Sequence, residues 1–280
     1  MFHTAVIHTP KRLDIMELLN LTMVTAHILV AGGIVQGKRK SFIHDLRSAQ
    51  KYLRSLRKAG YVGFFSYPTK IGRQKYYHKL SETPELPYHE IQQSLITHDS
   101  ITALFLTHLF RVSRKYGISL RWYPPFPIGD KQSDGGIALF NRKKLLCSLL
   151  LETDTGSHDH HEIREKLEAY VPCLTEQPHR RIVFLTAGEQ RKKNIYQTIH
   201  DYLQSKKIQE RILCLTPANF PKDMDLFTAY PLFFPHISRD LPCDGQVTSE
   251  GTHQNENSLA DTSIRLTGIS EKKKAVASPF

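Results

Sequence analysis

Ser133-Asp134-Gly-Gly-Ile-Ala-Leu-Phe140 opens the most informative stretch of this chain, which continues after Asn141-Arg-Lys-Lys144 with Leu145-Leu-Cys-Ser-Leu-Leu-Leu-Glu152-Thr-Asp154-Thr-Gly156. Two apolar runs joined by a four-residue polar turn predict two adjacent strands, most simply a β-hairpin. Side chains alternate along a strand, so Glu152 and Asp154 are expected on one face. If the strands pair, Asp134 joins them at the edge of the sheet.

Asp134, Glu152 and Asp154 together form a candidate metal site. Carboxylate oxygens are the hard ligands that Mg²⁺ and Mn²⁺ prefer. The alternative is that Glu152 and Asp154 merely end a strand, with Asp154-Thr-Gly156 forming a turn. The spacing by itself leaves both interpretations open.

The segments around this stretch alternate between helical and strand patterns. Such an order predicts a mixed α/β sheet with helices on its faces. The elements expected there are a helix at 98–116, a strand at 118–123, a helix at about 159–171, a strand at 181–186, a helix at 190–205 and a strand at 211–216.

The N-terminal part of the chain has a different pattern. It predicts a helix at 11–20, a short helix ending near Gly32-Gly33, and a clear helix that starts between Ser41 and Asp45 and stops at Gly60. Two strand-like runs around the turn Pro68–Gly72 then predict a hairpin. Three helices followed by a β-hairpin is the order of a winged helix, a relative of the helix-turn-helix whose last helix enters the DNA major groove.

The positive charge of the chain is concentrated in this N-terminal part. The net charge is +11, and residues 36–80 hold twelve Lys and Arg residues against one acid, Asp45, so the remainder is balanced. A local excess of this kind is typical of a nucleic-acid contact surface, although a solvated helix face is the simpler alternative. The residues expected to contact DNA are Lys38, Arg39, Lys40, Arg47, Lys51, Arg54, Lys58, Lys70, Arg73 and Lys75.

These patterns divide the chain into four parts: a winged helix at 10–80, a linker at 81–97, an α/β domain at 98–239 and a disordered polar tail at 240–280. The four cysteines are widely spaced and form no C-x-x-C pair, which argues against a zinc knuckle and favours reduced thiols. No signal peptide and no membrane-spanning run is recognised, so a cytoplasmic location without a membrane partner is expected.

Four segments carry a family resemblance, namely SAQKYLRSLRKAGYV (48–62), SLITHDSITALF (94–105), SDGGIALF (133–140) and LLLETDTG (149–156). Their order resembles the replication-relaxation family of mobile elements, which includes MobC-type relaxases of plasmid mobilisation. The resemblance covers about residues 10–215. It implies that the second domain is similar to the PD-(D/E)XK nuclease fold, with Asp134 as the first aspartate and Glu152 as the following acid.

The resemblance also implies roles and departures. Ser133 stands where proline is common in the nuclease motif, and Asp154 stands where that motif has lysine. Lys166, on the following helix, would take the lysine role and steady the phosphate, while Asp154 would be a further ligand or a general base. Mg²⁺ or Mn²⁺ would activate water for cleavage of double-stranded DNA at an origin-type site. Other mobilisation or replication proteins are expected partners.

Several alternatives remain open at this stage. A non-enzymatic accessory factor or replication regulator would use the same winged helix with an inactive nuclease-like domain, and a transcription repressor is a third hypothesis. The cluster His158-Asp-His160-His161 invites comparison with His-hydrophobe-His relaxases but is better interpreted as a solvated loop. Nothing in the spacing of Tyr170, Tyr196 and Tyr202 singles out a nucleophile.

Overall fold

The computed structural model describes residues 10–19, 22–32, 45–69, 72–80, 93–123, 125–156, 159–219, 225–235 and 237. All of them belong to one unit of the chain, Met1–Leu241. The predicted tail at 240–280 and most of the predicted linker, 81–92, lie outside the described residues. The same holds for four of the predicted DNA-contact residues, Lys38, Arg39, Lys40 and Lys70.

The N-terminal part forms the three predicted helices, α1 (Pro10–Leu19), α2 (Ala26–Gly32) and α3 (Leu46–Lys58). Short polar side chains start the second and third helices. Thr25 Oγ1 accepts a hydrogen bond from the backbone N–H of Ile28, and Asp45 Oδ1 accepts one from Ser48. Such caps satisfy N–H groups that have no partner inside the helix.

A hairpin follows α3. Its strands β1 (Val62–Thr69) and β2 (Gly72–Lys79) pair antiparallel along their whole length. Gly60 has φ 80°, the left-handed conformation in which glycine commonly ends a helix. Val24, between α1 and α2, adds to the same sheet, because it exchanges backbone hydrogen bonds of 2.9 and 2.8 Å with Tyr77 of β2.

Helix α4 (Gln93–Lys115) joins the two halves of the described chain. It begins five residues before the predicted start at His98, so residues 93–97 are helical rather than linker. One side contributes Ala103 and Phe110 to the N-terminal core, and the other contributes Phe105 and Leu109 to the core under the large sheet. Both parts of the molecule therefore pack on one helix.

The predicted mixed α/β sheet is confirmed. Five strands lie in the order β3-β6-β7-β8-β9, antiparallel from β3 to β7 and parallel from β7 to β9. A small separate hairpin consists of β4 and β5. The strands are β3 (Ile118–Tyr123), β4 (Pro127–Ile128), β5 (Lys131–Gln132), β6 (Gly135–Asn141), β7 (Lys144–Asp154), β8 (Arg180–Thr186) and β9 (Ile212–Leu215).

Helices cover both faces of this sheet. The C-terminal helices are α5 (His160–Glu176), α6 (Glu189–Tyr202), α7 (Lys206–Gln209) and α8 (Leu226–Ala229), and a short 3₁₀ turn spans Pro217–Asn219. One face packs against α4, Phe227 of α8 and Phe234, and the other against α5 and α6. Strand β8, which lies between β7 and β9, is accordingly buried along its whole length.

Two further sequence expectations can be compared with the structure. Cys147, Cys173 and Cys214 are buried free thiols, as expected of reduced core cysteines. Among the described residues, the structure contains no helix that is both long and apolar enough to cross a membrane.

Candidate carboxylate site and DNA interface

Pairing of β6 with β7 places Asp134 beside the end of β7. The backbone N–H of Asp134 donates to the carbonyl oxygen of Leu151 at 3.1 Å. Gly135 then has φ 150°, and a Cβ built on it would lie 2.3 Å from the ring of Trp122. A glycine at this position therefore allows the backbone to pass close to the Trp122 ring where β6 begins.

One carboxylate oxygen of Asp134 has two hydrogen-bond partners. Oδ2 accepts from the backbone N–H of Thr153 at 2.6 Å and lies 3.1 Å from Nε2 of His98 on α4. Nδ1 of His98 lies 3.1 Å from Asp99 Oδ1. Burial opposes the charged imidazolium, but the bonds to Asp134 and Asp99 outweigh it and raise the pKa of His98 to about 9. Burial likewise acts to raise the pKa of Asp134, but the hydrogen bond and charge of His98 act in the opposite direction, and the pKa is lowered.

Glu152 contacts two residues of α5. Lys166 Nζ donates to Oε2 at 2.5 Å, and the Tyr170 hydroxyl donates to Oε1. The Glu152 side chain is only 1% exposed, and this burial raises its pKa although Lys166 favours the charged form. Lys166 and Tyr170 are four residues apart, so they share a face of the helix. Lys166, for which the sequence predicts the lysine role of the nuclease motif, is thus a cation that contacts Glu152.

Asp154 has a different set of partners. Arg191 of α6 donates to Asp154 Oδ2 from Nε at 3.0 Å and from its terminal nitrogen at 2.6 Å. The backbone N–H of Gly156 donates to Oδ1 at 2.6 Å, as in the turn that the sequence left open. Strand geometry puts Asp154 about 7 Å beyond Glu152 on the same face. Of the three predicted carboxylates, Glu152 contacts Lys166, the charge of Lys166 also favours the ionised form of Asp134, and Asp154 instead forms an ion pair with α6.

The donor set can be compared with what a divalent cation requires. Within the described residues, no group of three or more His, Cys, Asp or Glu side chains is arranged to hold a metal. Mg²⁺ in nucleic-acid enzymes is nevertheless held by one or two carboxylates, with substrate phosphate and water completing its shell. An ionised carboxylate offers about four acceptor positions, so Glu152 keeps capacity beside its two donors. Asp134 and Glu152 thus fit a two-carboxylate site, without Asp154.

Asp134 also has room for a further partner. Its side chain is 28% exposed, and both of its contacts to described residues are to Oδ2. Within the described part of the chain, Oδ1 has no hydrogen-bond partner. This oxygen is therefore the one left to bind a further partner.

The predicted histidine cluster lies elsewhere. His158 is outside the described residues, and His160 and His161 form the first turn of α5. His160 Nδ1 lies 2.6 Å from Thr198 Oγ1, and His161 lies beside Glu165. Both described histidines thus have partners on α5 or α6 and not at the candidate site of Asp134 and Glu152.

The tyrosines differ in their access to a substrate. Tyr170 has no exposed surface, its hydroxyl is bonded to Glu152, and burial strongly raises its pKa. A buried phenol of this kind is unsuited to attack a phosphodiester. Tyr196 is 40% exposed but is no part of the carboxylate site.

Helix α3 presents a basic face opposite its buried side. Arg47, Lys51, Arg54 and Lys58 are exposed, while Ala49, Leu53 and Leu56 are buried. Within the described part of the chain, none of these four basic residues contacts an acidic side chain. Together with Gln50 and Ser55 they line a concavity of about 700 Å³. The predicted stripe is therefore present, and its charge is available to a partner.

The hairpin continues this basic surface. Lys75 Nζ lies 4.8 Å from the centre of the Phe64 ring, and the guanidinium of Arg57 lies 4.1 Å from the same centre. Arg73 and Lys75 are both exposed on β2. The exposed cations of α3 and β2 are called the α3–hairpin surface below: Arg47, Lys51, Arg54, Arg57, Lys58, Arg73 and Lys75.

His98 and Arg191 are the site residues that sequence reasoning missed. His98 lies within the segment SLITHDSITALF, but nothing local in that segment indicates which carboxylate it would contact. Arg191 lies 37 residues from its partner Asp154.

Comparison with known proteins adds no assignment, since no protein-family model, curated protein or solved structure matches this chain.

Proposed function

We propose that this protein binds double-stranded DNA through the α3–hairpin surface. The observation that carries the proposal is this set of exposed cations on α3 and β2, which have no acidic partners among the described residues. Its setting supports a winged helix, because a strand residue between the first two helices pairs with the hairpin and the third helix carries the basic face. Phosphate contacts supply most of the affinity of such surfaces.

For the second part of the chain we propose a nuclease-like domain of the PD-(D/E)XK type. The support is the order of the elements of the large sheet and its helices: a helix, three antiparallel strands with the small β4–β5 hairpin after the first, a helix and a parallel strand. Asp134 stands at the start of the second of these strands and Glu152 near the end of the third. These are the positions that the resemblance to the replication-relaxation family implies.

The proposed activity is nicking or relaxation of DNA at an origin-type site of a mobile element. Mg²⁺ or Mn²⁺, held by Asp134 and Glu152, would supply an activated water and compensate charge on the phosphate. Lys166 adds a positive charge next to Glu152 and is the residue placed to steady the developing charge of the phosphate. Tyr170 fixes the other oxygen of Glu152, and burial of both residues keeps bulk water away.

One observation favours a second candidate, a non-enzymatic accessory factor or regulator. Both oxygens of Glu152 have a donor, its side chain is 1% exposed, and Asp154 is paired with Arg191. Two acids paired in this way stabilise the fold without any metal. DNA binding is common to both candidates, and only cleavage separates them.

The DNA-binding step is tested by the salt dependence of affinity. Lys51→Ala should weaken binding and reduce the slope of log Kd against log salt by about one unit, because one phosphate contact is lost. Fluorescence anisotropy with a labelled duplex from the element's origin measures this. Lys193→Ala removes an exposed lysine of α6 instead and should leave the slope unchanged. Equal slopes for Lys51→Ala and the unmodified protein would refute the assignment of this surface.

Cleavage is tested on a supercoiled plasmid that carries the origin, with and without Mn²⁺ or Mg²⁺. Glu152→Ala and Asp134→Asn should abolish metal-dependent nicking while retaining DNA affinity. Glu165→Gln, which alters a half-exposed acid on α5 paired with Lys131, is the matched control and should nick normally. Absence of nicking by the unmodified protein, with origin binding intact, would support the regulator instead.

A further inference from the structure

The N-terminal half of α4 contacts both the hairpin and the carboxylate site. On one side, Ser100 Oγ lies 3.1 Å from the hydroxyl of Tyr76 on β2. On another side, His98 contacts Asp134, and Thr102 Oγ1 lies 2.7 Å from Thr153 Oγ1 on β7. One helical segment thus joins the DNA-binding part to the acidic site.

These contacts close a ring of hydrogen bonds around Asp134. His98 and Thr102 are four residues apart and lie on the same face of α4. Thr102 Oγ1 also donates to the backbone carbonyl of His98 at 3.1 Å. Thr153 completes the ring, because its backbone N–H donates to Asp134 and its hydroxyl meets Thr102. The imidazole, the carboxylate and the strand end are therefore held in one arrangement.

The ring constrains one carboxylate oxygen and, among the described residues, leaves the other without a hydrogen-bond partner. His98 and Thr153 both contact Oδ2, and Asp99 holds the second nitrogen of the imidazole. With Oδ2 fixed from two directions, the carboxylate cannot rotate about its terminal bond without breaking both hydrogen bonds. Oδ1 is then presented in a single orientation at the partly exposed edge.

We propose that His98 is a positioning residue that orients Asp134 for binding a divalent cation. This inference rests on the proposed metal site, but it concerns cation binding and not the cleavage step. Hydrogen bonds to the ligands of a metal commonly contribute 10- to 100-fold in affinity or activity. His98 supplies such a bond through Nε2, from a helix that also contacts the hairpin.

The ordinary alternative is that His98 and Asp134 form an ion pair that only stabilises the fold. A purely structural pair would change the unfolding midpoint and leave the cation affinity of the folded protein unaltered. A substitution that keeps a hydrogen-bond donor at the position of His98 Nε2 distinguishes the two roles more sharply. Glutamine places an amide N–H at about the reach of the imidazole Nε2, so it can retain the bond that alanine loses.

The test is a Mn²⁺ titration of the full chain, followed by the electron paramagnetic resonance signal of the free ion, without DNA. His98→Ala should raise the Kd for Mn²⁺ about tenfold, and His98→Gln should restore it to near that of the unmodified protein. His200→Ala is the control, because His200 is an exposed histidine beside Asp201 on α6. Circular dichroism confirms that each variant is folded at the assay temperature.

Each outcome is decisive. An unchanged Kd in His98→Ala, equally weak binding in the alanine and glutamine variants, or no Mn²⁺ binding by the unmodified protein would each overturn the inference. Plasmid nicking by the same four proteins (unmodified, His98→Ala, His98→Gln and His200→Ala) tests the proposed nuclease function separately from the positioning role of His98. If Mn²⁺ binds and depends on His98 but no nicking occurs, the positioning role stands and the nuclease proposal fails.

Discussion

Tyr170 and Glu152 form a hydrogen bond between two side chains that are almost completely removed from solvent. The bond joins β7 to α5, and its acceptor is a carboxylate with burial acting against its charge. Tyr170→Phe should lower the free energy of unfolding by about 1.5–3 kcal/mol, the usual contribution of a hydrogen bond to a charged group. Urea denaturation followed by Trp122 fluorescence measures the loss.

Tyr123→Phe is the control for this substitution, because Tyr123 is only partly buried at the end of β3. Its effect should stay within about 0.5 kcal/mol, as for most surface changes. The same Tyr170→Phe protein also tests nucleophilic chemistry. Nicking that persists in the folded variant would exclude Tyr170 as a nucleophile.

The ion pair of Asp154 with Arg191 is the second residue-scale feature. The carboxylate is 4% exposed and the guanidinium 17%. Arg191→Ala should lower the free energy of unfolding by about 3–5 kcal/mol, since it leaves a buried charge without its main partner. Adding Asp154→Asn should recover part of this loss, because the two residues are coupled. Lys193→Ala serves as the exposed control, and a loss no larger than that of the control would refute the argument.

At the scale of elements, the N-terminus of α5 has a complete capping box. Asp159 Oδ1 accepts from the backbone N–H of Glu162 at 2.8 Å, while Glu162 Oε2 accepts from the N–H of Asp159 at 3.0 Å. The backbone hydrogen bond lowers the pKa of Asp159 below its usual 3.8. The cap orients the helix that carries Lys166 and Tyr170 toward Glu152.

Asp159→Ala should therefore reduce stability in a pH-dependent manner. A lowered folded-state pKa gives a contribution that is complete above the unfolded pKa, and this contribution is lost as the pH falls through the folded pKa. The difference in urea midpoint between the unmodified protein and Asp159→Ala should be constant near neutrality and shrink below about pH 4. Asparagine caps a helix without carrying a charge. The difference in urea midpoint between Asp159→Asn and Asp159→Ala should therefore not shrink in acid. A difference between the unmodified protein and Asp159→Ala that persists unchanged in acid would contradict the assignment.

At the scale of the whole molecule, α4 contributes side chains to two cores. Phe110 lies in the N-terminal core and is 5% exposed, whereas Leu109 lies beneath the large sheet and is fully buried. Because both cores share one helix, we expect the described parts of the molecule to unfold together.

Phe110→Ala should lower the free energy of unfolding by about 3–5 kcal/mol through a cavity in the N-terminal core. The loss should reach the large sheet, so hydrogen exchange should accelerate in both α3 and β8. Thr97→Ala changes an exposed position of the same helix and is the control. Faster exchange in α3 alone, with β8 unaffected, would show that the two parts unfold independently.

Much of the fold could be predicted from local spacing. The paired runs around Asn141–Lys144, the alternating faces of α3, and the hairpin after Gly60 all rest on residues a few positions apart. Residues that favour the beginning of a helix were informative too, since the predicted range for the start of α3 included its N-cap, Asp45. The end of α5 was missed, because the helix continues through Pro172 to Glu176. The start of α4 was also placed too late.

The features of the candidate site can likewise be divided into those that local spacing predicts and those that it does not. The sequence by itself predicted the two adjacent strands that carry Asp134 and Glu152, because strand pairing follows from the pattern of apolar residues. It also determined the basic face of α3, because a helical repeat fixes which side chains share a side. Only the tertiary structure decided that His98 holds Asp134, that Arg191 takes Asp154, and that α4 joins both cores. Those contacts link segments far apart in the chain, and which charges become neighbours there depends on how helices pack on the sheet.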